Sequence, residues 1–195
     1  NLSFTFSHSK TDGFIPNSGL ERYNLRVGGN AQLANGLYIG GSVAYINTDQ
    51  SGPPTGGGGV TSSGFSTQLW YLPRSYDPYQ YPYIDENNRD NHYRTGEDHP
   101  LFSVFENPFT SRVNRVFANA KVGYDITNWL NVQYQIGFDA YGQQNKQVFA
   151  ASSQFAPTGN ITLDEIFFRS VESNLLINLT TALSDDLTLD AVIGH

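Results

Sequence analysis

The stretch that decides the fold is Leu130 to Tyr141, L-N-V-Q-Y-Q-I-G-F-D-A-Y. Leu130, Val132, Tyr134, Ile136, Phe138 and Ala140 are apolar, and Asn131, Gln133, Gln135, Gly137 and Asp139 between them are polar or glycine. An unbroken period of two predicts a strand with one side in an apolar medium and the other in a polar one. The length matches a tilted strand that crosses a bilayer, roughly 9–11 residues. A half-buried strand of a soluble sandwich would alternate in the same way, so the choice depends on what surrounds it.

Outward from that stretch, the pattern recurs. Leu2, Phe4 and Phe6 alternate with Ser3, Thr5 and Ser7, and a connection of about a dozen residues follows, with Gly13, Pro16, Asn17 and Gly19 as turn formers. Tyr23, Leu25, Val27 and Leu33 then alternate with Arg22, Asn24, Arg26, Asn30 and Gln32. Two arginines and two asparagines on one face cannot enter a dry core without partners, but they can line water. Asn35-Gly36 predicts a hairpin into a strand with Leu37, Ile39, Val43 and Tyr45 on one face. After a long connection, Val116, Ala118, Ala120, Val122 and Tyr124 oppose Arg115, Asn119 and Lys121, and a turn at Thr127-Asn128-Trp129 leads into the opening stretch. Leu175, Ile177, Leu179 and Leu183 form a sixth strand, with Leu176 as an exception, and Leu187, Leu189, Ala191 and Ile193 a seventh.

The long connections are expected at about 47–111 and 142–165, and they alternate with short turns. In an up-and-down meander all the long ones fall at one end. The short turns share a grammar, an aliphatic, a small residue, Asn or Asp, any residue, then Leu: Leu33 to Leu37, Ile126 to Leu130, Leu183 to Leu187. Apolar-out, polar-in strands with asymmetric loops and aromatics near strand ends predict an all-β, antiparallel, up-and-down transmembrane β-barrel segment of about seven strands. Tyr124 and Trp129 at one end and Tyr45 and Tyr141 at the other are read as interfacial belts.

Composition narrows the function. The 195 residues contain no Cys and no Met, which excludes disulfide scaffolds, zinc-thiolate sites and cysteine nucleophiles. A formal charge of -7 argues against a nucleic-acid surface. No apolar run approaches the roughly 18 residues of a membrane helix, which leaves spanning strands untouched. Asn1 opens directly on an alternating run without a signal peptide, so the chain is expected to begin, and at His195 to end, inside strands.

Gly13 to Val27 (G-F-I-P-N-S-G-L-E-R-Y-N-L-R-V), S-G-P-P from Ser51, L-W-Y-L-P-R-S-Y-D from Leu69, and Arg115 to Gly137 resemble the barrel of SusC/RagA-type TonB-dependent outer-membrane transporters. The resemblance implies a Gram-negative outer-membrane barrel of about 22 strands, closed by an N-terminal plug. It also implies a SusD-like surface lipoprotein as lid, and TonB energising import of glycans or peptides. It leaves this chain as an internal barrel segment, with the plug and the TonB-contacting segment outside it.

No constellation for catalysis stands out, since His8, His92, His99 and His195 are scattered and the carboxylates mostly lie in expected loops. Arg22, Asn24, Arg26, Asn119, Lys121, Gln133, Gln135 and Asp139 are the expected lumen-lining residues. Trp70, Tyr71, Tyr76, Tyr79, Tyr81 and Tyr83 either pack the long loop onto itself, dock a protein partner or stack on a ligand. Asp85 to Asn91 bunches oxygen ligands as a calcium loop does, but without the EF-hand glycine and terminal glutamate; no cofactor is expected otherwise. Gly56 to Gly59 lacks the Lys-Ser/Thr of a phosphate loop and reads as a flexible surface hinge. Beside the importer stand two alternatives, a soluble β-sandwich carbohydrate-binding module and a barrel that serves as a scaffold in an outer-membrane assembly.

Overall fold

The computed structural model describes residues 1–53, 64–184 and 186–195. Seven strands, β1 (Leu2–Asp12), β2 (Gly19–Gln32), β3 (Leu37–Gly52), β4 (Phe109–Thr127), β5 (Leu130–Ala151), β6 (Thr158–Ser184) and β7 (Leu187–Gly194), form one antiparallel sheet in chain order. The described strands include no second sheet, so the two-sheet sandwich is not the architecture. Two short helices, α1 (Phe65–Tyr71) and α2 (Pro100–Phe105), lie in the connection between β3 and β4.

Register turns the alternation of single strands into two continuous faces. Val132 pairs with Tyr124 and Ile177, and Ile136 with Ala120 and Ser173, while Gln133 pairs with Gly123 and Leu176, and Gln135 with Lys121 and Asn174. Directly opposed residues point to the same side of a sheet. One face therefore carries Phe4, Val27, Val43, Ala118, Phe138 and Val171, and the other Thr5, Arg26, Ser42, Asn119 and Glu172. Leu176, opposite Gln133, lies on the polar face, as its break of the pattern required.

The turns obey local chemistry. Asn35 and Gly36 have φ of 72° and 81°, the pair of left-handed residues that an Asn-Gly hairpin demands, and Leu33 N–H closes it on the Leu37 carbonyl at 2.7 Å. A Cβ on Gly36 would also approach the Asp125 carbonyl to 2.8 Å, so this position excludes side chains twice over. The other two short turns each follow a register shift, at Asp125/Thr127 and at Ala182/Ser184. Asp185 and the Gly56 to Gly59 run lie outside the described residues.

The connections are shorter than the sequence pattern predicted. The loop expected at 142–165 is a hairpin of residues 152–157, because Gln143 to Phe149 pair with Asn160 to Ile166 in regular register. The loop expected at 47–111 spans 53–108, and the first connection 13–18. In β1, β3, β4 and β5 both faces carry polar residues near this end, so alternation disappears from the sequence while backbone pairing continues; in β6 it is broken instead by Ile166 and Phe168, which stand on the polar face while Ile161, Leu163 and Phe167 stand on the apolar one. In β3 and β4, for example, Asp49 and Arg112 take the place on the apolar face that Tyr45 and Val116 hold further along. Tyr141 is a further correction, since its pairing with Arg115 and Phe168 puts it on the polar face, stacked on Phe168 at 5.2 Å, and not in an outward belt.

Candidate functional site

The polar face sets long polar side chains among small residues such as Ser3, Gly28, Gly40 and Ser42. Ser42 Oγ accepts from Arg26 Nη2 at 3.1 Å and from Asn119 Nδ2 at 2.9 Å, joining three neighbouring strands. Arg115 grips Asp139 with two hydrogen bonds, Nε at 2.8 Å and Nη2 at 2.5 Å, the bidentate geometry that a guanidinium makes with a carboxylate. Ser3, Gly28, Gly40 and Ser42 leave a depression of about 470 Å³ beside Arg26, Asn119 and Lys121. Of the residues expected to line a lumen, Arg22, Asn24, Arg26, Asn119, Lys121, Gln133, Gln135 and Asp139 all share this face by register. Arg26, Asn119, Gln133 and Asp139 are tied to neighbours, whereas Arg22, Asn24, Lys121 and Gln135 make no side-chain hydrogen bond or ion pair with any described residue.

Tyr38, which alternation alone does not single out, organises the end with the short turns. Its ring lies where a side chain on Gly123 would be, since a Cβ there would come within 2.0 Å of the Tyr38 Cζ. The hydroxyl donates to Gln133 Oε1 at 2.8 Å; Asn131 Nδ2 donates to Asp125 Oδ1 at 2.6 Å, and Asn178 Nδ2 to Asn131 Oδ1 at 3.1 Å. This network links β3 to β6. Gly123 opposite an aromatic residue was the available signal, once the register is known.

At the other end the long connection folds into a cap. Pro100, Leu101, Phe102 and Val104 of α2 are buried, whereas among their described apolar side chains the strands bury Ala44 alone. His99 caps α2, its Nδ1 accepting from Leu101 N–H at 3.2 Å, with Pro100 in the first turn. Asp98 holds the cap to the β5–β6 hairpin: it accepts from Ser153 Oγ at 2.7 Å, Gln154 N–H at 2.5 Å and Asn107 Nδ2 at 3.0 Å. Asn107 Oδ1 in turn accepts from Ala150 N–H at 2.8 Å, and Asp90 N–H donates to Ser152 Oγ at 2.9 Å. Burial pushes Asp90 up to about 6 and raises Asp98, and it depresses His99 to about 4.

The six loop aromatics divide. Tyr76 stacks on Tyr81 at 5.0 Å and packs on Tyr93, Tyr83 packs on Phe105 at 5.6 Å, and Tyr71 lies under Arg94 at 5.0 Å, so these four hold the cap together. Trp70 and Tyr79 instead face solvent, at 88% and 71% exposure. In the expected calcium loop, Asp85 turns back on its own backbone, accepting from Asn87 and Arg89 N–H, while Asp90 points inward to His99 N–H. No group of three His, Asp or Glu among the described residues could share a metal ion.

A single two-faced meander of seven strands, with long connections at one end and tight turns at the other, defines a segment of an antiparallel β-barrel wall. No protein-family model matches the chain, and no curated protein matches it in sequence. Solved structures do. The RagAB peptide transporter superposes over 99% of this chain and 22% of its own, with a TM-score of 0.77 at 15% identity. The RagAB peptide importer gives TM-scores of 0.67 in its open-open state and 0.66 in its closed-closed state, both at 17% identity and 99% coverage of this chain. The chain thus spans about a fifth of these neighbours, 21 to 22% of their length, and the likeness is one of fold. These neighbours are transporters rather than enzymes.

Proposed function

We propose that the chain is wall of the barrel of a SusC/RagA-type, TonB-dependent importer in a Gram-negative outer membrane. The observation that carries this reading is an apolar face with nothing to cover it. Phe4 is 69% and Val43 54% exposed, and Leu2, Phe6, Val122, Ile136 and Ile193 are similarly open. Leaving a Val, Leu, Ile or Phe side chain in water forgoes on the order of 1.5–3 kcal/mol. Summed over a dozen or more such residues, that exceeds the roughly 5–15 kcal/mol by which a domain is stable. A soluble monomer does not carry such a face, whereas hydrocarbon tails cover it at no cost.

In β4 the apolar positions run from Val116 to Tyr124 and in β5 from Leu130 to Ala140. That is the roughly 9–11 residues that a tilted strand needs to cross a bilayer. The polar face then lines the lumen, with Arg22, Asn24, Lys121 and Gln135 free to meet a plug or passing cargo. All 195 residues belong to one barrel domain, with the 53–108 cap and the 152–157 hairpin outside the cell. A SusD-like surface lipoprotein is the partner that fits a capped extracellular end, and exposed Trp70 and Tyr79 are its contact candidates. Cargo is a peptide or a glycan, the former in keeping with the peptide-transporting neighbours.

Single cysteines in the full-length protein test the orientation. Val132→Cys and Ile136→Cys are expected to react with a lipid-dissolved reagent and resist an aqueous maleimide, and Gln133→Cys and Gln135→Cys to do the reverse. Equal aqueous labelling of both sets would end the barrel reading. Import itself is tested by uptake of labelled peptides and oligosaccharides in cells lacking the protein, with and without functional TonB. Unchanged uptake of both would leave the scaffold as the function.

A further inference from the structure

On the apolar face, beyond the last lipid-compatible residues, the sheet carries a groove of about 720 Å³ that the import reading does not use. Its floor is the tops of β1 to β5, and the connection 13–18 borders it. Register shows which way it opens: Lys10, Glu21, Asp49, Arg112 and Gln144 form one continuous row across five strands, on the same side as Phe6, Leu25, Tyr45, Val116 and Ala140. Four residues separate Arg112 from Val116 along β4, roughly 13 Å at strand rise. A polar groove therefore stands directly above an apolar wall on the outside of the barrel.

The charges in the groove are Lys10, Arg112 and Lys146 against Asp12, Glu21 and Asp49. Two of the acids are already engaged, Asp49 by Arg112 Nε at 2.6 Å and Glu21 by the Tyr23 hydroxyl at 2.6 Å and His8 Nε2 at 2.9 Å. Lys10 and Lys146 make no hydrogen bond or ion pair with any described residue. Lys146 of β5 lies one strand from Arg112, whereas Lys10 of β1, which faces Glu21, is three strands away, roughly 14 Å at sheet spacing. Cationic donors therefore stand at both sides of the groove, each able to donate to a phosphate. The volume is far larger than one phosphate needs and lies within the roughly 300–1,000 Å³ of ligand sites. Asp12 keeps the net charge low, which suits a headgroup that brings sugar hydroxyls along with phosphate, and Gln144, Thr110 and Ser51 supply neutral partners for them.

We infer that this groove holds the phosphorylated sugar headgroup of an outer-leaflet glycolipid, whose acyl chains lie on Phe6, Leu25, Tyr45 and Val116 below. This rests on the outer-membrane reading. The amphipathic match is what selects a lipid over a free phosphate or phosphosugar, because only a lipid uses the groove and the wall together. Headgroup and chains would then fix the height of the barrel in the membrane on this side.

The test uses the full-length protein in phosphatidylcholine nanodiscs doped with an acylated, bisphosphorylated glucosamine disaccharide or with its dephosphorylated form, and reads retained glycolipid by native mass spectrometry. Retention of the phosphorylated form alone is expected. It should fall about tenfold in Lys146→Gln/Arg112→Gln, the scale of losing one or two charge-assisted hydrogen bonds, and stay unchanged in Glu172→Gln on the other face. Lys146→Gln alone, which breaks no contact, serves if the double variant fails the heat-shift gel that reports a folded barrel. Equal retention of both lipids, no loss in Lys146→Gln, or displacement by inorganic phosphate would overturn the assignment while leaving the barrel intact. Recovery of the protein from the soluble fraction would overturn the barrel reading as well.

Discussion

The sheet and the cap between β3 and β4 solve opposite problems. The sheet has seven long strands and, among its described residues, only Ala44 as a buried apolar side chain; the cap has two short helices and nearly all the dry core there is. The sheet is held by its backbone ladder and needs a covering medium, whereas the cap is held by side chains and brings its own core. The same 195 residues therefore contain one region whose stability depends on its surroundings and one whose stability does not. Each can be broken without the other.

The largest effect is expected from placing a charge on the apolar face. Ile136→Arg or Val43→Arg should destabilise the inserted barrel by about 2–4 kcal/mol if the position lies near the bilayer midplane. Gln135→Arg, one residue away on the other face, should cost little. Urea unfolding in lipid vesicles reads both, and equal costs would erase the distinction between the faces. The cap should be indifferent to all three.

Next comes the joint. Asp98→Ala removes the acceptor for Ser153, Gln154 and Asn107 in a buried setting, at about 1–3 kcal/mol in all once water enters the space left by the carboxylate. Hydrogen exchange should speed at the Ser103 and Glu106 amides of α2 while the β4 and β5 amides below hold their protection. If the sheet loosens in step, the two regions are one cooperative unit and the comparison fails.

The same division explains what the sequence disclosed. Strands and their facing were legible wherever one side must be apolar, so Leu130 to Ala140 announces itself, and so does the shared side of Arg22, Asn24 and Arg26. Strand ends were not: from Gln143 to Gln147 both faces of β5 carry polar side chains and the amides read as loop, although the ladder continues to Ala151. The cap was illegible for another reason. Asp98 finds Ser153 and Gln154 more than fifty residues away, and no local period encodes that contact. Only the Asp-His-Pro start of α2 carried a local signal, an N-cap followed by proline at the first turn. Tyr38 over Gly123 lies between these cases, since both residues sit on strands that alternation finds, but their apposition needs the register.

A smaller effect is expected at that pair. Gly123→Ala pushes the Tyr38 ring off the wall and breaks its bond to Gln133, an overpacking cost of about 1–3 kcal/mol. Tyr38→Phe, which loses the hydroxyl alone, should cost about 0.5–1.5 kcal/mol. If Tyr38→Phe proves as damaging as Gly123→Ala, the hydroxyl network rather than the ring in its slot secures this end of the sheet.

The smallest effect, and the one that most sharpens the contrast, concerns pH at the cap. Asp90, raised to about 6 in the folded cap, favours folding at low pH; that contribution is complete below its ordinary value of 3.8 and is lost as pH rises through 6. His99, depressed to about 4, acts in the other sense, since its contribution is present above 6.5 and is lost as pH falls through 4. The neighbours that bear on Asp90 are Asp98, which raises it, and His92 and the His99 N–H, which lower it. The two displacements are similar in size, so on acidification from 7 to 4 the folded cap takes its proton on Asp90 while the opened cap takes one on His99. Little net dependence remains, apart from a modest tightening in acid from Asp98. His99→Gln can still accept the Leu101 N–H but has no proton to gain, so its cap should tighten as pH falls where the native cap stays nearly level. Protection factors of the Ser103 and Glu106 amides across that range would show it, and a cap that loosens in acid in the variant would mean that Asp90 is ionised in the folded joint.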